Sequence, residues 1–419
     1  MTWRVGAVGL LVCVVGMGIG AAPPEAGVAL RVAFVVSALG GSWIAWTLST
    51  RDDLSLRRIV GLAIVLRVLM LPLLPSLSDD GYRYIWDGVL TVQGFSPYAD
   101  RPAGPRFAEW HDEVVYQEMN SPEYFSVYPP VSQAIFAVGG LVYPLGWQAS
   151  WYAIKLILVV LEGVGIACLA RVVPRSGLAL YALHPLPIIE IAGQAHTEGA
   201  LVAALGGVLV ALARHPKTAG VALALAGWTK LFPFGIVLAL RSSWRGLAAF
   251  AIATAVGGLA LLPSSGLEHV LESVRLYGGT LDFYAAPYLA IKAALYPVAG
   301  EGAGRLAATL LSLGWAVSLV VLARSMGEGV VASQRYVALG VVAYALASPM
   351  QHPWNWIAVL YVMPLLQGTK WIAWTASIGL VTYLLYVGIE PAYGLAIAVG
   401  WGGGALLYLF SRRALAHRD

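Results

Sequence analysis

The sequence predicts an all-α fold, a polytopic bundle of about 12–14 membrane helices, some of them short or re-entrant. Composition is the first of three observations behind this. Of 419 residues, 59% are hydrophobic and 11% charged, and the mean hydropathy is +0.75, whereas a soluble domain is about 25% charged. Second, apolar runs recur along the whole chain. Third, the basic residues behind the net charge of +4 fall singly or in small groups between those runs. That pattern sets membrane topology and argues against a nucleic-acid partner. Cys13 and Cys168 both lie in apolar segments, so no disulfide framework follows, and no Cys/His spacing suggests a structural metal. With no fixed-period repeat and no low-complexity linker, residues 1–419 read as a single domain.

In chain order, Val5 to Gly20 reads as an uncleaved first helix rather than a secretory signal peptide. Ala26 to Leu48 and Ile59 to Pro75 follow as crossings. Arg51, Arg57 and Arg58 between them mark the cytoplasmic side, so the third crossing delivers residue 78 to the outer face. The outer loop 78–130 carries nine acidic residues against Arg83, Arg101 and Arg106. The run up to Trp147 reads as re-entrant, because counting it as a crossing would place Arg171 and Arg175 outside. Trp151 to Leu169 then crosses, carrying Lys155 and Glu162. Charges inside a span face the bundle interior.

Gly177 to Ala192 returns outward and Ala200 to Ala213 goes back. The run from Ala219 to Arg241 reads as a hairpin broken at Thr229 to Pro233, with Lys230 at its tip. Breaks of this kind are tolerated beside a polar cavity. Leu247 to Pro263 leads to a second outer loop, 264–287. Five further runs, Arg305 to Leu322, Val337 to Pro349, Trp354 to Leu366, Trp371 to Gly388 and Tyr393 to Phe410, end at Arg412, Arg413 and Arg418. Both termini are predicted cytoplasmic.

On this topology four polar islands share the outer side. The first is the stretch Ser78 to Tyr98, where Asp79 and Asp80 follow a serine suited to capping, and Arg83, Trp86 and Asp87 follow on one helical face. A helix N-terminus favours ionised carboxylates, which makes either Asp a candidate base. The others are Tyr128; Gln194, His196 and Glu198; and Gln351, His352, Trp354 and Asn355, with Lys230 joining from the hairpin. Polar side chains from distant segments at one membrane depth are costly unless they line a cavity.

The stretches that carry these islands, SDDGYRYIWDG, GFSPY, VYPP, GQAHTEG, TKLFP and SPMQHPWNW, resemble in content and order the integral-membrane, polyprenyl-phosphate-sugar-dependent glycosyltransferases of the GT-C class, in particular the bacterial mannosyltransferase-like branch. The resemblance implies transfer of a sugar, most often mannose, from a polyprenyl-phosphate carrier to a glycolipid or glycan at the extracytoplasmic face of the bacterial plasma membrane. It also implies an inverting mechanism with an acidic base, here Asp79 or Asp80. Arg83, Trp86, Asp87, Tyr128, His196, Glu198, Lys230, Gln351, His352 and Trp354 become the expected substrate-binding residues. No cofactor is expected beyond the lipid-linked donor; a divalent metal between the Asp pair and the phosphate stays open, with too sparse a ligand set to predict one. The chain departs from the pattern in carrying Glu198 and Asn355 at motif positions, and two helices, rather than one, ahead of the crossing that delivers the loop. The competing reading is a polytopic transporter or flippase of a lipid-linked sugar. It would place polar residues near the midplane of two inverted halves, and no halves are visible.

Overall fold

A computed structural model describes residues 1–51, 53–111, 113–262, 265–279 and 281–416. Among them the only regular elements are helices, joined by loops, and no strand forms, only an isolated parallel bridge between Phe283 and Met350. Seven stretches are long and apolar enough to cross a membrane. One of them, 40 residues long, is divided at Gly300, φ +52, into Ala286–Ala299 and Ala303–Ser325. Contacts group the chain into two units: Met1–Pro72, Leu169–Glu190 and Leu281–Asp419 in one; Leu73–Cys168 and Ile191–Thr280 in the other.

The second unit carries the loop 78–130. Its helix Asp80–Val92 crosses the helix Pro130–Val142 in backbone contact. A Cβ on Gly88 would sit 2.1 Å from the Phe136 carbonyl, and one on Gly140 would sit 2.3 Å from the Gly88 carbonyl. Small residues permit that approach. Pro130 opens the second helix at a position where its missing N–H costs nothing. The 13-residue length of this helix agrees with a re-entrant element. Helix Trp147–Leu169 packs on Glu198–Ala211, where a Cβ on Gly199 would lie 2.5 Å from the Leu158 carbonyl. Helix Pro216–Thr229 ends at the expected break, Lys230 is extended (φ −142°, ψ 132°), and a 3₁₀ stretch Phe232–Leu240 follows.

In the other unit, helices Trp3–Gly20 and Val28–Ser49 meet where a Cβ on Gly20 would lie 2.5 Å from the Phe34 nitrogen. Two buried polar links cross its interior. Tyr383 donates to Glu190 at 2.8 Å, and His184 pairs with Ser377 at 3.1 Å.

Three departures from the sequence reading have physical reasons. The expected crossing 177–192 is not one helix: Arg175–Ala182 stops before Pro185 and Pro187, which deny the ladder two donors, and a π-turn follows at Ile188–Gly193. The second outer loop contains a helix, Gly266–Gly279, whose apolar residues recur with helical spacing among Glu268, His269, Glu272 and Arg275. Ala286–Ala299 is a further helix, started by Pro287 at its first turn. Ser264, where that loop was expected to begin, and Arg418 lie outside the described residues.

Candidate active site

The approach to the two aspartates is held by side chains of two other helical segments. Trp151 donates its indole N–H to the Leu73 carbonyl at 2.9 Å, and the Lys155 ammonium donates to the same oxygen. Gln194, buried, accepts at Oε1 from the backbone N–H of Ser76 (3.1 Å) and of Leu77 (3.0 Å). Residues 73–77 have no helix to satisfy them, and these contacts supply the partners that buried backbone groups need.

At the end of this clamped segment the two carboxylates differ. Asp80 accepts from Asn120 Nδ2 at 3.1 Å. Asp79 sits at the helix N-cap position, makes no capping bond and is exposed. Protein packed around it withdraws water from its carboxyl, and Asp80 and Glu118 add negative charge, so its pKa is raised above the ordinary carboxylate value.

One turn further on, Arg83 and Asp87 are buried and face inward. Arg83 Nε donates to Asp87 Oδ1 at 2.8 Å, and Nη1 donates to the carbonyls of Tyr124 (3.1 Å) and Ser121 (3.4 Å). Asp87 Oδ2 accepts from Ser126 Oγ (2.5 Å) and Gln133 Nε2 (2.8 Å). The pair bolts the segment 121–126, ahead of Tyr128, to the 80–92 helix. Trp86, 4% exposed, is packed edge-on against Phe107 and Trp110 and tilted on Tyr116, in the aromatic centre of the loop.

Tyr128, half-buried, meets Tyr84 edge to face at 4.9 Å between centroids. The Tyr84 hydroxyl lies 3.4 Å from His196 Nδ1. His196 and Glu198 are both buried, and Glu198 Oε1 pairs with Lys230 Nζ at 2.8 Å, the lysine keeping 27% of its side chain exposed. Ser132 donates to the Thr229 carbonyl at 3.0 Å, tying the hairpin break to the start of the 130–142 helix. Asp79, Asp80, Arg83, Trp86, Asp87, Tyr128, His196, Glu198 and Lys230 thus belong to one unit, in which short contacts join Arg83 to Asp87, Tyr128 through Tyr84 to His196, and Glu198 to Lys230.

Gln351, His352 and Trp354 belong to the other unit. There the Gln351 N–H donates to the Phe283 carbonyl at 2.8 Å, and the His352 ring is sandwiched between Phe283 (4.1 Å) and Trp354 (4.5 Å). Among the described residues no three His, Cys, Asp or Glu side chains gather as a metal site.

Asn120, Ser126, Gln133 and Tyr84 are the contributors that reading the sequence missed. Tyr84 lies within the stretch SDDGYRYIWDG and Gln133 in the first turn after the double proline; nothing marked Asn120 or Ser126.

A family model described as alpha-(1->6)-mannopyranosyltransferase, N-terminal domain, matches residues 3–261. That span holds every motif stretch except SPMQHPWNW. No curated protein and no solved structure matches the chain. With more than half its length matched, the chain belongs to the alpha-(1->6)-mannopyranosyltransferase family and is a multi-pass membrane glycosyltransferase.

Proposed function

We propose that the protein transfers mannose from a polyprenyl-phosphate carrier to a hydroxyl of a glycolipid or glycan at the extracytoplasmic face of the membrane, with inversion, and that Asp79 is the base. The observation that carries this reading is the contrast between the two carboxylates. Asp79 is open and has no capping bond, while Asp80 is committed to Asn120. A base works best with a pKa lifted toward the working pH, and Asp79 is shifted in that direction.

The acceptor oxygen attacks C1 of mannose while Asp79 takes its proton. The bond from C1 to the phosphate oxygen breaks and the carrier leaves as a phosphate monoester. Lys230 is the cation assigned to that phosphate: it is partly exposed and acts as a point charge. Glu198 holds it in place until the donor enters. Arg83 is less suited, because it is buried and also donates to the Ser121 and Tyr124 carbonyls besides pairing with Asp87. Its part in the reaction is to fix the loop. An α-linked product formed by inversion requires a β-linked mannosyl phosphate donor.

The proposed topology keeps both termini cytoplasmic.

The test is transfer of radiolabelled mannose from polyprenyl-phosphate-mannose into a lipid extract by purified protein. Asp79→Asn is expected to lose about 10²–10⁴-fold in rate with donor binding retained, and Asp80→Asn to lose less. Equal transfer by both variants and the unmodified protein would remove the base from this stretch.

A further inference from the structure

Outside the residues matched by the family, the unit that includes Leu281–Asp419 contains a cavity of about 400 Å³. Small-molecule sites run from about 300 to 1,000 Å³. Its wall changes character along one line. Arg335, Leu339 and Val342 come from the helix Val330–Ala347 at spacings of four and three, so they share a face. The charged end and the apolar end are separated by about 10 Å of helix axis. Trp371 and Tyr408, edge to face with centroids 6.5 Å apart, also line the cavity. The segment 366–369, in which Gly368 takes φ +69, completes the lining. Arg335 is exposed and has no carboxylate partner among the described residues.

We propose that this cavity binds an anionic phospholipid, its phosphate on Arg335 and the first methylenes of one chain against Leu339 and Val342. Charge complementarity selects the headgroup: a zwitterionic lipid brings its own counter-charge and gains less from an unpaired guanidinium. The apolar half selects a lipid over a soluble anion, which would leave the half-buried Leu339 wetted. Trp and Tyr are the side chains that settle at the headgroup level of a bilayer. Basic pockets between membrane helices on the cytoplasmic side recognise anionic headgroups. On the topology proposed above Arg335 and Lys370 lie on that side, but the cavity and its chemistry do not depend on the transfer reaction.

The experiment is native mass spectrometry of the detergent-purified full chain titrated with phosphatidylglycerol, phosphatidylcholine or inorganic phosphate. One phosphatidylglycerol is expected to stay bound at concentrations where phosphatidylcholine does not. Arg335→Gln should weaken that retention about tenfold. Leu339→Trp, which fills the apolar half and leaves the charge, should abolish it. Both variants should elute as the unmodified protein does and melt at its temperature in the absence of lipid, which separates loss of the site from loss of the fold. Equal retention of the two lipids, retention unchanged in both variants, or displacement of phosphatidylglycerol by millimolar inorganic phosphate would each overturn the assignment.

Discussion

Asp79 combines exposure with a raised pKa, and the two together make a pH prediction. A base must be ionised, so the acid limb of the rate profile should lie above the range of an ordinary carboxylate. Glu118 contributes to the shift through its negative charge. Glu118→Gln removes that charge, lowers the pKa of Asp79 and should move the acid limb to lower pH, read as rate against pH at saturating donor. A limb that does not move would mean that the titrating group is not Asp79. The sign for stability runs the other way from that of a salt-bridged carboxylate. A folded-state pKa above the unfolded one stabilises the fold at low pH, and that contribution is lost as the pH rises through the folded value. Asp79→Asn should therefore raise the melting temperature slightly at neutral pH while activity falls, a pairing that simple misfolding does not produce.

Gln194 makes a second prediction at the same scale. Its Oε1 accepts two backbone N–H groups just ahead of the aspartates, and a buried donor left alone costs about 1–3 kcal/mol. Gln194→Leu should lower stability by that order and lower kcat more than it raises KM for the donor. Gln194→Glu keeps both acceptor positions and should retain most of the rate.

At the scale of elements, the crossing of the 80–92 and 130–142 helices depends on two glycines. Because the atoms that a Cβ would meet at Gly88 and Gly140 are backbone, they cannot rotate away, and overpacking costs about 1–3 kcal/mol or more. Gly88→Ala should lower the thermal midpoint and tilt the base-bearing helix, so activity should fall at temperatures where the protein is still folded. The sequence disclosed the long crossings because lipid demands continuous apolar runs. It concealed Gly266–Gly279, where Glu268, His269, Glu272 and Arg275 dilute the apolar signal although the 3.6-residue period persists. The site was legible in part. Residue types and motif order led to the unit that holds Asp79, His196, Glu198 and Lys230, and the hairpin break at Lys230 was visible from Thr229 to Pro233. Roles were less legible. Arg83 and Asp87 at i, i+4 suit a ligand site and an internal ion pair equally well, and only the partners at Tyr124, Ser126 and Gln133, up to 46 residues away, favour the second.

At the scale of the whole molecule, the proposed face of the reaction follows from charge alone, and charge makes an accessibility prediction. The loop 78–130 carries an excess of carboxylates, while the turn with Arg214 and Lys217 is basic. Glu109 and Arg214 are both exposed, and neither makes an ion pair among the described residues, so each can become a cysteine at little cost to the fold. The native Cys13 and Cys168 lie in helices that qualify as membrane spans, where a charged maleimide reacts poorly. In intact cells a membrane-impermeant maleimide should label Glu109→Cys and spare Arg214→Cys; after permeabilisation both should react. The reverse pattern would turn the active site toward the cytoplasm, where soluble nucleotide sugars are the available donors, and would overturn the polyprenyl-phosphate carrier while leaving Asp79 as the base. A mannosyl phosphate on a lipid is needed only where nucleotide sugars are absent, so the labelling pattern bears on the donor as directly as a transfer assay does.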